Sequence, residues 1–235
     1  VHGQSPAPGT DESSPMSDHQ FLAYNNAKVQ AERKLLQLRD SGSTEVVFIR
    51  PGIVFGPGSM WVVGFANSLR SQTAYLLNDG KGICNSIYID NLVHAIGWAL
   101  TAPNIDRQAF LVGDKEQVTW ADLYRPIAEA IGVEFSQIPN LNCSDYTPSF
   151  KEKLKETLRN SDLSAKLLHF IASKRQQTSP QAIHQPPLNQ EMASLYLCQY
   201  KLPSQKAQQM LNYRAIVSFA EACDRTSKWL VSKGY

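Results

Sequence analysis

Polar and apolar positions alternate along this chain with two different periods, and the change of period marks out its elements. Residues 1–16 carry Pro6, Pro8, Gly9, Asp11, Ser13, Ser14 and Pro15, the composition of a surface loop. Ser17 with Gln20 three positions on has the form of a capping box, and Ala27, Ala31, Leu35 and Leu38 follow at helical spacing until Gly42. That spacing predicts a helix burying this stripe. Val46–Ile49 is a continuous β-branched and apolar run, as expected of a strand buried on both faces. Pro51, Gly52, Gly56, Pro57 and Gly58 then predict a rigid loop.

The alternation continues. A helix is expected from Trp61 to Arg70 and a short strand at Ser86–Ile89. Asp90 opens the next helix, with Leu92, Ile96 and Ala99 on one face and Pro103 beyond its end. Gln108–Val112 reads as another buried strand, and Thr119 caps a helix carrying Leu123, Ile127 and Ala130 up to Gly132. Strands that alternate with helices predict an α/β fold with a parallel sheet. Beyond this, Phe150–Arg175 is helix-rich and basic, with seven Lys or Arg against three acidic residues, read as a solvated amphipathic face. Gln176–Gln190 reads as loop. Ser218 with Glu221 forms a second capping box, opening a final helix that buries Phe219, Ala222, Trp229 and Leu230.

Composition narrows the class. The chain has 235 residues, 43% hydrophobic and 19% charged, enough apolar material for a core and far from a disordered or disulfide-scaffold composition. A net charge of +2 without a concentrated basic face predicts no nucleic-acid partner. No run approaches 18 consecutive apolar residues, so no membrane span is expected. Cys84, Cys143, Cys198 and Cys223 lie 59, 55 and 25 residues apart, which excludes paired zinc or redox spacing and predicts buried thiols, no metal and a cytoplasmic setting.

The candidate chemistry lies in two segments. Tyr24 and Lys28 are four residues apart, which puts a phenol and an ammonium one helical turn apart on one face. A nearby cation favours the phenolate, drawing the hydroxyl toward the working range of an acid/base catalyst. With nine tyrosines in the chain, chance alone supplies about 0.4 such pairs, so the pair needs its context. That context is the loop after the first strand, where ligands of open α/β sheets bind. There Pro51 fixes the backbone, and Gly52 permits close approach of a flat ligand such as a nicotinamide ring. A tight turn with no ligand would use the same residues.

Three landmarks in register, Tyr24-x-x-x-Lys28, then Arg50-Pro51-Gly52-Ile53-Val54-Phe55-Gly56-Pro57-Gly58, then Ile87-Tyr88-Ile89-Asp90-Asn91-Leu92-Val93-His94-Ala95-Ile96, resemble the extended short-chain dehydrogenase/reductases. These are the epimerase/dehydratase and 3β-hydroxysteroid dehydrogenase-like proteins. The resemblance implies a Rossmann-like, doubly wound parallel sheet plus a smaller, mostly helical substrate domain. Residues 1–113 would belong to the first, with substrate loops near 56–88, and residues 114–235 to the second. It implies NAD or NADP as cofactor and a small-molecule substrate carrying a secondary alcohol, a sugar nucleotide or a sterol. Tyr24 would be the acid/base and Lys28 would tune it and hold the ribose, while Pro51, Gly52, Ile53 and Val54 would line the nicotinamide pocket. Asp90 would cap its helix, His94 would be structural, Gly80–Asn85 would lie near substrate, and the family's habit allows a homodimer through the Tyr24 helix.

The chain departs from the family's pattern, the acidic residue that reads the adenosine ribose being missing together with the phosphate turn. It contains no G-x-G-x-x-G or G-x-x-G-x-x-G phosphate turn. Val1-His2-Gly3 is similar to the residues after the family's catalytic Ser or Thr, so the chain is expected to begin inside a strand. It would then be the C-terminal portion of such a protein, inactive by itself. The alternative reading is a non-catalytic member that senses a dinucleotide or binds a partner.

Overall fold

A computed structural model describes residues 1–20, 22–142 and 190–235. Its centre is a strand that changes partner halfway. Strand β1 (Phe48–Pro51) lies parallel to β6 (Ala109–Val112), in register from Phe48 opposite Ala109 to Pro51 opposite Val112. After Gly52 the same chain continues as β2 (Ile53–Phe55), which pairs in parallel with β5 (Ser86–Tyr88). Helix α3 (Ile89–Ala99) makes the crossover from β5 to β6, the connection a parallel arrangement requires. Two shorter pairs complete the strands: β3 (Leu76–Leu77) parallel to β8 (Asn140–Leu141), and β4 (Ile83–Cys84) antiparallel to β7 (Val118–Thr119). The α/β expectation holds.

Two apolar clusters hold this frame. One joins β1, β5 and β6 to α3 and to α6 (Gln205–Met210), through Ile87, Ala95, Phe110, Ala207 and the following Leu211. The larger one brings α2 (Met60–Arg70) together with α4 (Trp120–Ala130), α5 (Gln190–Tyr196) and α7 (Phe219–Ser232). At its centre Phe65 stacks on Tyr124 with ring centroids 3.8 Å apart, and Trp120 lies 4.6 Å from Tyr196. Side chains removed from water this completely contribute about 1.5–3 kcal/mol each.

The helix ends largely follow the sequence. Ser59 accepts from the Trp61 amide at the start of α2. Thr119 and Asp122 cap α4 reciprocally, and Gly132 beyond it takes the positive φ of 76° that favours glycine. Ser218 accepts from the Glu221 amide, but the Glu221 carboxylate pairs with Arg225 instead of completing a box. On α7 Ala222 and Leu230 are buried as expected, while Phe219 and Trp229 are half-buried.

Other expectations are corrected. The first strand runs over 48–51, two residues later than 46–49, and is half-buried, because among the described residues it is paired on one side only. Helix α1 (Ala23–Asp40) starts after Leu22 with no side-chain cap. Gln20 does not cap it; its amide group is held by the Ser17 carbonyl and by Asn25, and its own N–H goes to Asn26. The expected buried stripe of α1 is turned outward: Ala27 and Ala31 are exposed, and Leu35 and Leu38 are 44% and 54% exposed. Asn25, Val29 and Glu32 are buried in their place. On α3, Tyr88 stands at the N-cap rather than Asp90, which pairs with Arg225 of α7, and Ile96 faces out while Asn91 and Ala95 face in. Val1–Gly3 forms no strand. The basic segment Phe150–Arg175, the loop Gln176–Gln190 except for Gln190, and Cys143 lie outside the described residues.

The tail is docked by polar anchors that no local pattern announced. Asn91, fully buried, accepts from the Ile216 and Val217 amides and donates to Asp114 and the Val217 carbonyl. Asp114, also buried, accepts in addition from the Tyr88 amide and Ser86. Burial pushes its carboxyl above the usual range despite these donors. The Lys201 ammonium donates to the carbonyls of Asp114, Lys115 and Glu116 at 2.7, 2.6 and 2.5 Å.

Candidate active site

Tyr24 and Lys28 stand on the first two turns of α1, on the face that looks outward. The Lys28 Nζ lies 5.3 Å from the Tyr24 ring centroid, and Tyr24 is 68% exposed. The i, i+4 expectation is therefore met as a local geometry, a cation against a phenol ring, with the hydroxyl accessible.

Pro51–Val54 spans the point where β1 becomes β2. Pro51 is exposed, and Gly52, Ile53 and Val54 are half-buried. A Cβ on Gly52 would lie 1.9 Å from the Asn85 carbonyl oxygen, which accepts from the Ile53 amide at 2.7 Å. The glycine expected to admit a flat ligand is thus required first by the crossing of Asn85 over the strand. A cavity of ≈ 350 Å³ opens at the carboxyl end of β2, lined by Val54 together with the Gly56–Trp61 turn and Ile89. Of the expected pocket residues only Val54 lines it. Among the described residues no group of three or more His, Cys, Asp or Glu is placed to hold a metal ion, and no helix is long and apolar enough to cross a membrane.

What ties the two segments together is a pair that sequence reasoning passed over. The Arg50 guanidinium grips the Glu32 carboxylate with Nε and Nη2, both side chains being less than a tenth exposed. Arg50 Nη1 also reaches His2 Nε2 at 3.0 Å and the Glu12 carbonyl at 3.2 Å. Burial first, then the Arg50 charge, holds the His2 imidazolium below its usual range. Glu12 in turn accepts the Leu111 amide of β6 at 2.8 Å. The available signal was an arginine directly after a run expected to be a buried strand, where a guanidinium away from water demands a carboxylate partner.

Secondary expectations sort cleanly. His94 is structural, its Nε2 accepting from Trp98 Nε1 at 2.9 Å and its Nδ1 lying 3.2 Å from the Arg214 carbonyl. Asn85 binds the tail, donating to the Tyr200 carbonyl and accepting from the Leu202 amide. Cys84, Cys198 and Cys223 are buried free thiols.

A Tyr/Lys helix face set before a parallel strand that ends in a glycine-rich turn is the arrangement of the extended short-chain dehydrogenase/reductases, and the backbone agrees. It superposes on dTDP-glucose 4,6-dehydratase from Bacillus anthracis, solved in complex with NAD, with a TM-score of 0.63 at 13% identity over 99% of this chain and 59% of that one. The fold is therefore the Rossmann-like one expected. Within that class, the chain belongs to the 3-beta hydroxysteroid dehydrogenase/isomerase family, whose model matches residues 2–142. It is 35% identical over 120 residues to UDP-glucose 4-epimerase of Vibrio cholerae, covering 49% of this chain and 36% of that protein. It is 23% identical over 236 residues to 3beta-hydroxysteroid-dehydrogenase/decarboxylase isoform 1 of Arabidopsis thaliana, covering 96% and 49% respectively. The chain thus spans between a third and a half of the length of these two relatives.

Proposed function

We propose that the whole protein is an NAD(P)-dependent oxidoreductase acting on a secondary alcohol of a sterol or a nucleotide sugar, with Tyr24 as its acid/base. The observation that carries this is the accessible Tyr24 hydroxyl with the Lys28 ammonium beside its ring, in a chain of this family. The residues present suit the nicotinamide end of a dinucleotide: an exposed phenol and ammonium on one helix face, and an exposed Pro51 at the strand end. A bound dinucleotide would supply the hydride acceptor for the carbinol carbon. Tyr24 removes the proton from the alcohol oxygen, or returns it in the reverse direction. Lys28 would stabilise the phenolate electrostatically and donate to the ribose, and the segment Pro51, Gly52, Ile53 and Val54 would hold the nicotinamide end of the dinucleotide. Residues 1–113 serve the dinucleotide and 114–235 the substrate.

The test is Tyr24→Phe in the whole protein, assayed as NADH formation with a 3β-hydroxysteroid and as epimerisation of UDP-glucose. Loss of about 10³-fold in kcat with NAD affinity nearly unchanged is expected. Wild-type turnover in that variant removes Tyr24 from the mechanism. By the same reading, these 235 residues, which hold no glycine-rich phosphate turn, bind NAD weakly alone. Micromolar affinity by calorimetry on the isolated chain would overturn that part.

A further inference from the structure

We infer that the Glu32–Arg50 ion pair is the positioning device of the reaction centre, setting the rotation of the Tyr24/Lys28 face against the strand end at Pro51. The inference rests on the catalytic reading of Tyr24 given above.

Tyr24, Lys28 and Glu32 occupy successive turns of α1, and each step of four residues advances about 40° around the helix. That drift carries the face from the exposed Tyr24 to the buried Glu32. Two other residues on the inward side of the helix are buried, the apolar Val29 and the neutral Asn25, whose amide donates to Gln20 of the N-terminal loop. Its N-terminus has no side-chain cap, and its apolar stripe looks outward. Its other ion pairs are more open to solvent: Arg33 with Asp18 leads to the N-terminal loop, and Arg39 with Asp106 and Asp40 with Arg107 lie near its C-terminal end. Glu32 is the buried charge, one turn beyond Lys28, and its partner immediately precedes Pro51 and Gly52. One guanidinium therefore fixes both halves of the site, and its remaining donors to His2 and the Glu12 carbonyl hold the N-terminal loop to the same point. A two-pronged arginine–carboxylate contact defines an angle as well as a distance, which a single hydrogen bond does not. Misplacement of reacting groups by an ångström costs rate with little change in binding.

The experiment uses the whole protein with NAD and the two probes named above, a 3β-hydroxysteroid and UDP-glucose. Glu32→Gln and Arg50→Lys should each lower kcat about 10- to 100-fold while KM for NAD stays within about twofold. The charge reversal Glu32→Arg with Arg50→Glu should recover part of that loss, with kcat taken per folded molecule from the urea-unfolding midpoint of each variant. Arg33→Gln, which opens an exposed pair on the same helix, should leave kcat unchanged. Should Glu32→Gln fail to fold, Glu32→Asp keeps the charge with a shorter reach and should still lower kcat. If Tyr24→Phe abolishes turnover while Glu32→Gln, or Glu32→Asp in its place, and Arg50→Lys turn over like wild type, the positioning role falls and the reading of Tyr24 stands. An equal loss in Arg33→Gln also overturns it. If Tyr24→Phe turns over normally, or the wild type acts on neither probe, the underlying reading fails and takes this role with it.

Discussion

A methyl group at residue 52 would sit 1.9 Å from the carbonyl oxygen of Asn85 and 2.9 Å from its carbon. Both are backbone atoms in the middle of the fold and cannot swing aside as a long side chain would. Gly52→Ala is therefore expected to destabilise the protein by about 2–4 kcal/mol, read as a fall in the urea midpoint. A loss below about 0.5 kcal/mol would show that the strand crossing is slack. The sequence marked this glycine as necessary, but the reason comes from Asn85, 33 positions away. Asn91 and Asp114 show the same limit. Asp90 looked like the helix cap because its residue type and place before an apolar run fit that role. Its neighbour Asn91 anchors Ile216 and Val217 from more than 120 residues along the chain. A local pattern can rank residues by what they do to their own helix; it has no access to what the tail will require of them.

Helix α1 makes the corresponding point for elements. Its existence and its stop near Gly42 were legible, while its start, six residues after the expected Ser17 cap, and its rotation were not. Counting apolar residues puts Ala27, Ala31, Leu35 and Leu38 inside, whereas the buried charge of Glu32 turns the opposite stripe inward with it, because a carboxylate held by arginine away from water cannot be exchanged for an alanine face without stranding the guanidinium. This rotation is measurable in the chain as it stands. Val29→Ala, at a fully buried position, should cost about 1–2 kcal/mol. Leu35→Gln, on the outward stripe, should change stability by less than about 0.5 kcal/mol. A larger cost at Leu35 than at Val29 would mean that the helix sits as its apolar pattern alone suggests. For α4 the pattern and the packing agree, since Thr119, Asp122 and Gly132 define its ends and Leu123 and Ile127 its buried side without help from a distant charge.

At the scale of the whole molecule, burial keeps several acids neutral. Burial drives the Cys84 thiol well above its ordinary range, the Cys223 thiol up to about 12 and the Tyr75 hydroxyl up to about 12. In the unfolded chain the thiols ionise near 8.5 and the phenol near 10. Between those values and about 12 the unfolded state holds fewer protons than the folded one, so stability falls as pH rises, by up to about 1.4 kcal/mol per pH unit for each group engaged. Urea unfolding at about pH 8 and about pH 10.5 should show this decline. A flat profile would mean that these side chains reach water in the folded state. The α/β class and the family landmarks were readable at this scale because they depend on order and spacing. The partition into two clusters was hidden because it depends on tail segments returning to strands far earlier in the chain. Lys201 belongs to that return, and it acts as a tethered cation. A free sodium or potassium ion would have to be gathered from solution to be coordinated by the same three carbonyls, whereas the lysine arrives already attached. Tail docking should accordingly be indifferent to which alkali salt is in the buffer, while acylation of that one amine would loosen the turn at 114–116 and leave the tail held by Asn85 and Asn91.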